Sequence, residues 1–126
     1  SETEVVLPSL LVRSSIGCAC LRILVPPHAR LGRPLEMNVV LENRGTSSLE
    51  LALNVVPSDS FLFSGYRHVQ VRLQPQSKTR VPLLLIPILV GQLTLPLVQI
   101  RWQNGQTETM QQSLATRVFV MPPPHT

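Results

Sequence analysis

Apolar residues recur at every second position along several stretches of this chain, and no window of about a dozen residues carries them at the helical period of about 3.6. Successive strand side chains point to opposite faces, so a period of two predicts half-buried strands. The clearest case has Leu35, Met37, Val39 and Leu41 as one set and Glu36, Asn38, Val40 and Glu42 as a second, largely wet one. Leu49, Leu51, Leu53 and Val55 resume the pattern beyond residues 43–47, NRGTS. The Asn and Gly of that link suit positive backbone φ and predict a hairpin. Leu21, Ile23 and Val25 alternate with Arg22 and Leu24 until Pro26 and Pro27 stop the pairing. Val69, Val71 and Leu73 are expected inward, with His68, Gln70 and Arg72 outward.

Other segments depart from clean alternation. Pro8 breaks the apolar stretch 5–12, which predicts an edge strand that switches sheets. Phe61-Leu62-Phe63-Ser64-Gly65 is read as an aromatic plug over one end of the core, closed by a glycine turn. Across residues 79–90 neither alternate set is polar, so either both faces are covered or one is an interface. Leu93, Leu95 and Leu97 form an inward set, Val98, Ile100 and Trp102 take the opposite phase, and the shift predicts a bulge near Pro96. Asn104-Gly105 predicts another hairpin, and residues 114–121 the last strand. The three prolines from Pro122 cannot donate to a ladder, so residues 122–126 are expected to form an extended tail. Taken together, strand-like segments at roughly ten-residue spacing predict an all-β chain. The expected architecture is an immunoglobulin-like antiparallel β-sandwich of about seven to eight strands in one domain, residues 1–121.

Composition adds two constraints. Hydrophobic residues make up 44% of the 126, enough for one continuous core, whereas charged residues make up only 14%, so some of the outside is expected to be apolar. The net charge of +4 raises nucleic acid and acidic membrane as partners, but ten of the eleven cations are Arg scattered singly along the chain. Nucleic-acid affinity comes from clustered phosphate contacts, so that partner is not expected. Cys18 and Cys20 lie two positions apart on one strand face, where a disulfide is sterically poor, and no further cysteine can join two sheets. This suits a reducing, cytoplasmic compartment. His28, His68 and His125 show no ligand spacing to the cysteines, and no metal site is expected. The start, SETEVVLPSL, has no basic signal region, and no apolar run reaches membrane-spanning length. Ser1 in place of an initiator Met suggests a fragment of a longer protein.

No catalytic chemistry stands out. The chain lacks GxSxG, GxxxxGK[ST] and GxGxxG, and its seven carboxylates fall mostly on outward positions. No catalytic residue and no cofactor is therefore assigned. Trp102 is read as a core residue rather than a binding platform, and His68 as a surface residue. Arg67, Arg72 and Arg80 could gather on neighbouring strands, a solvated sheet face being the plainer reading.

One set of motifs is more specific. Pro57-Ser58-Asp59, Phe61 and Phe63-Ser64-Gly65 form a run flanked by Leu31-Gly32-Arg33-Pro34, Glu42-Asn43, Pro87 with Gly91, Leu95-Pro96, and Phe119-Val120 with Pro122. In order and spacing this resembles the C-terminal, or gryphon, domain of the subunit 11 type of large subunit in the transport protein particle (TRAPP) complex, from about Leu21 to Pro122. The resemblance implies an immunoglobulin-like, non-catalytic scaffolding domain with other TRAPP subunits as partners. TRAPP assemblies tether vesicles in ER-to-Golgi, early secretory traffic and activate a Rab GTPase through their small core subunits. A cytoplasmic location at Golgi and early secretory membranes is implied with it.

The candidate partner-binding residues are Arg80, Leu84, Ile86 and Ile88 on the apolar stretch, with His68 and Arg72 on the strand before it. Two other readings stand beside this one. An extracellular adhesion domain would favour glycosylation sites, yet none of Asn38, Asn43, Asn54 and Asn104 begins an Asn-X-Ser/Thr triplet. A sandwich contacting acidic membrane would draw on the positive charge, which scattered Arg makes a weak attraction.

Overall fold

The computed structural model describes residues 5–6, 10–14, 17–102, 107–109 and 117–123, with side chains over 20–102 and 117–123. Its strands are β1 (Val5–Val6), β2 (Leu10–Ser14), β3 (Gly17–Val25), β4 (His28–Arg30), β5 (Leu35–Asn43), β6 (Leu49–Val55), β7 (Phe61–Ser64), β8 (His68–Leu73), β9 (Ser77–Pro87), β10 (Gly91–Thr94), β11 (Val98–Trp102), β12 (Thr107–Thr109) and β13 (Arg117–Met121). No described residue is helical. The expected all-β sandwich is thus the fold that forms. Its strand segments outnumber the continuous runs of alternation because Pro26-Pro27 separate β3 from β4, and Pro96 lies between β10 and β11.

A large sheet has the order β1-β3-β5-β9-β7, with β2 also on β3; a four-stranded sheet runs β12-β11-β6-β8; a three-stranded sheet runs β10-β13-β4. All ladders are antiparallel except β13 with β4, which is parallel. One hydrophobic cluster receives side chains from all three sheets, including Met37, Leu41 and Leu85 from the large sheet, Leu53, Leu73 and Ile100 from the four-stranded one, and Val118 and Val120 from the three-stranded one. The odd-numbered sets expected inward on β3, β5, β6 and β8 all lie in or against this cluster, Val69 being only part-buried.

Several expectations fail where they concern which strands pair. β5 and β6 do not form a hairpin: β5 pairs with β3 and β9, β6 with β11 and β8, so residues 44–48 carry the chain from one sheet to another. Phe61–Ser64 is not a plug but the edge strand β7, paired with the end of β9. Residues near Pro96 form no bulge. β10 pairs with β13 and β11 with β6, so the phase shift marks a change of sheet, and Leu97 is exposed rather than inward. The early sheet switch expected near Pro8 occurs at Pro26-Pro27 instead, since β1 and β2 both pair with β3. The outer side of β5 is drier than expected: Asn38 is buried because β5 is flanked on both sides, and its Nδ2 donates to Glu36 Oε1 at 3.0 Å. The Asn104-Gly105 turn, residue 114, the Cys18 side chain and residues 124–126 lie outside the described residues, although β11 and β12 are antiparallel on either side of that turn.

The sheet-to-sheet link is held by polar side chains. Asn43 is buried, its Oδ1 accepts from the Gly45 amide at 2.9 Å, and its Nδ2 donates to the carbonyls of Ser47 at 2.8 Å and Leu73 at 3.3 Å. Gly45 does not have the expected positive φ. A Cβ there would sit 3.3 Å from Asn43 Oδ1, a tight contact with the side chain that holds the link. The left-handed residue is Gln76 in the β8–β9 turn, at φ 58°, a geometry that costs a residue with a Cβ about 1–2 kcal/mol. Its Nε2 offsets this by donating to the carbonyls of Arg44 at 2.8 Å and Gly45 at 3.0 Å, which joins the two loops.

The family-like run 57–65 has a matching local logic. Ser58 Oγ accepts from the Ser60 amide at 3.1 Å and turns the chain into β7, Phe61 is buried, and Gly65 leaves the strand at φ +98°. A Cβ at Gly65 meets no atom within 4 Å, so a substitution there is penalised by the backbone angle alone. Gly65→Val is expected to lower stability by about 1–3 kcal/mol in urea unfolding. An unchanged midpoint would contradict the left-handed turn.

Candidate interaction surface

β9 is inward at Val81, Leu83 and Leu85, all buried, and outward at Lys78, Arg80, Pro82, Leu84 and Ile86. Register decides what lies beside the outward set. Leu84 faces Glu36 on β5 and Ser64 on β7, and Ile86 faces Leu62. Ile88 follows just past the strand, its amide donating to the Ser60 carbonyl at 2.9 Å. Leu62, Leu84 and Ile88 are 55%, 39% and 41% exposed, with Ile86 half-buried between them. Leu89 and Val90 extend the exposed apolar surface around the β9–β10 turn. At the other end of the same face Arg80 lies beside Val40, and Lys78 beside Glu42. The face is therefore graded from charged to apolar.

Of the candidate residues, Arg80, Leu84, Ile86 and Ile88 share this face. His68 and Arg72 do not. They point outward from β8, in the four-stranded sheet, on the opposite side of the sandwich. Arg67, Arg72 and Arg80 do not gather either, because β8 and β9 belong to different sheets. The Arg67 guanidinium lies over the Phe63 ring, 5.7 Å from its centroid, and Arg72 Nε is 3.9 Å from Glu50 Oε1 in an exposed pair worth at most about 1 kcal/mol. The residues missed by sequence reasoning are Leu62, Leu89 and Val90. Leu62 alternates with Phe61 and Phe63, a usable signal of outward direction, but its neighbour Ile86 is set by strand pairing.

The outer face of the four-stranded sheet has a different character. A depression of about 580 Å³ opens over Ala52, the smallest side chain of its floor, between Asn54, His68, Gln70, Gln99 and Arg101. Asn54 Nδ2 donates to Gln99 Oε1 at 3.0 Å across it. Trp102 is in the core, as expected, and its buried Nε1 has no hydrogen-bond partner among the described residues. Cys20 is a buried free thiol. Among the described residues no three His, Cys, Asp or Glu side chains are grouped to hold a metal ion, and no helix is long and apolar enough to cross a membrane.

The strand arrangement defines an immunoglobulin-like β-sandwich domain. A FixG-related protein from Vibrio parahaemolyticus shares the fold, with a TM-score of 0.50 and 15% identity, over 81% of this chain and 95% of that one. Residues 20–122 match the family described as Gryzun-like, TRAPPC11 C-terminal domain, and the chain belongs to that family. Trafficking protein particle complex subunit 11 from Gallus gallus and from Homo sapiens is 26% identical to it over 101 residues, 78% of this chain. The chain spans 9% of the length of those relatives. The residues from Leu31 to Pro122 that carried the resemblance all lie within the family match.

Proposed function

We propose that this domain is a non-catalytic interaction module that helps bind a TRAPP tethering-complex subunit to its partner subunits on the cytoplasmic side of Golgi and early secretory membranes. In this reading residues 1–121 act as one sandwich and 122–126 as a tail, and the role is scaffolding in ER-to-Golgi transport. The observation that carries it, beside family membership, is the apolar corner of the large sheet: Leu62 of β7, Leu84 and half-buried Ile86 of β9 and Ile88 just past it adjoin one another, with Leu62, Leu84 and Ile88 exposed. Exposed apolar groups that adjoin one another mark contact surfaces more often than isolated ones do. Family membership favours this trafficking role over an adhesion domain.

The test is the double substitution Leu84→Ser and Ile88→Ser in the full-length parent, followed by co-purification of the other complex subunits. Both side chains are over one-third exposed, so the isolated 126-residue chain should lose no more than about 1–2 kcal/mol of stability. Lost association with a retained melting transition is the expected result. Full association would move the contact to another surface.

A further inference from the structure

Among the described residues several strand edges are unpaired, and they differ. Among the described strands that end a sheet, β8 has six residues, against five in β2, four in β7 and β10, three in β4 and β12, and two in β1. The β8 edge contains no proline, whereas the part of β9 that extends beyond β7 carries Lys78, Arg80 and Pro82, residue types that discourage strand addition.

Hydrogen-bond parity shows what the β8 edge presents. The Val55 amide donates to the Arg67 carbonyl at 2.9 Å, and the register pairs Leu53 with Val69 and Leu51 with Val71. Bonded and non-bonded pairs alternate along an antiparallel ladder, so the odd-numbered residues of β8 aim their backbone groups at β6. The amides and carbonyls of His68, Gln70 and Arg72 consequently point away from the sheet. No hydrogen bond to them forms among the described residues.

Two further features say what would pair there. Arg67 spans from the end of β8 to the Phe63 ring of β7, so both free edges emerge on the same side of the sandwich. Along that seam Val69 and Phe63 are only part-buried against the core. A strand added to β8 would place alternate side chains on the inner face beside Val69, and the others on the outer face beside His68, Gln70 and Arg72. The first set must be apolar. On the outer face, Arg72 of β8 and Arg101 of β11 stand against Glu50, the one carboxylate among the outward residues of β6 and β8, so the second set is favoured by acidic residues.

We propose that the β8 edge is a strand-addition site for an extended segment of a protein partner that alternates acidic and apolar residues, pairing its backbone with His68, Gln70 and Arg72. It rests on the interaction-module reading but not on the Leu62–Ile88 corner, which lies on the other sheet. The probe is a short synthetic peptide alternating Glu and Val, added to the 126-residue chain and followed by amide hydrogen exchange in NMR. In the free protein the His68, Gln70 and Arg72 amides should exchange fast and those of Val69 and Val71 slowly. The peptide should slow the first group by at least about tenfold. The same peptide with Lys for Glu should bind less, and Arg72→Glu should reverse that order, each by up to about fivefold, the scale of an exposed ion pair. Gln70→Pro removes an outward amide that no β6 group uses, and binding should be lost. No protection at any concentration, protection confined to β7, or a charge preference unmoved by Arg72→Glu would each overturn the proposal. Should Gln70→Pro fail to fold, the Arg72→Glu reversal decides. The Leu84→Ser, Ile88→Ser variant should take the peptide unchanged, which separates failure of this edge from failure of the apolar corner.

Discussion

Leu51→Asp is expected to abolish the cooperative unfolding transition of this chain. Leu51 points inward from β6, the central position between β11 and β8, and is 2% exposed. Its cross-strand neighbours on the same face, Trp102 and Val71, are also buried. No Arg or Lys among the described residues is buried, so a carboxylate there has no cation to pair with. Truncation alone, Leu51→Ala, should cost about 2–5 kcal/mol. The charge adds a desolvation penalty of several kcal/mol, and a domain of this size has only about 5–15 kcal/mol to lose. The adjacent Ala52→Asp places the same charge on the outer face and should change stability by less than about 1 kcal/mol. Circular dichroism melts of the three variants test the register directly: an intact transition for Leu51→Asp, or loss for Ala52→Asp, would put the wrong face inward.

Asn43→Ala should be the costliest polar substitution, at about 2–4 kcal/mol. The side chain is 1% exposed and closes three hydrogen bonds where the chain passes from the large sheet to the four-stranded one. Its removal leaves the Gly45 amide and the carbonyls of Ser47 and Leu73 without that partner at a site water reaches poorly. Arg44→Ala, one residue on, acts at a largely exposed side chain paired with Glu42 at 3.0 Å and should stay within about 1 kcal/mol. Urea midpoints for the pair make the comparison. If Asn43→Ala is as mild as Arg44→Ala, solvent is replacing the lost bonds and the link is not held as described.

Asn43 also shows the limit of local reading. NRGTS has the residues of a hairpin turn, and Leu35–Leu41 and Leu49–Val55 on either side have the alternation of two strands, so a hairpin follows from local chemistry. The same turn serves equally well to cross between sheets, because turn residues specify a change of chain direction and not the strand that will lie alongside. The phase shift at Pro96 was open in the same way, a bulge and a sheet change both reversing which residues face inward. Leu97 becomes exposed once the second applies.

What the amino-acid sequence determined by itself was the strand character of the chain and the inward set on β3, β5, β6, β8 and β11. A period of two acts within a few residues, and burial of one face rewards it whatever the neighbours are. Gly65 was legible for the same reason: a positive φ is a property of one residue. Family membership was legible too, since the residues of run 57–65 are those whose turn, burial and backbone angle the local structure requires. Sheet membership, the burial of Asn38, the meeting of Leu62 with Ile86 and the separation of Arg72 from Arg80 were decided only by the tertiary structure. Each depends on which strands pair across long stretches of chain, and that choice is made by the packing of the whole core rather than by any segment of it.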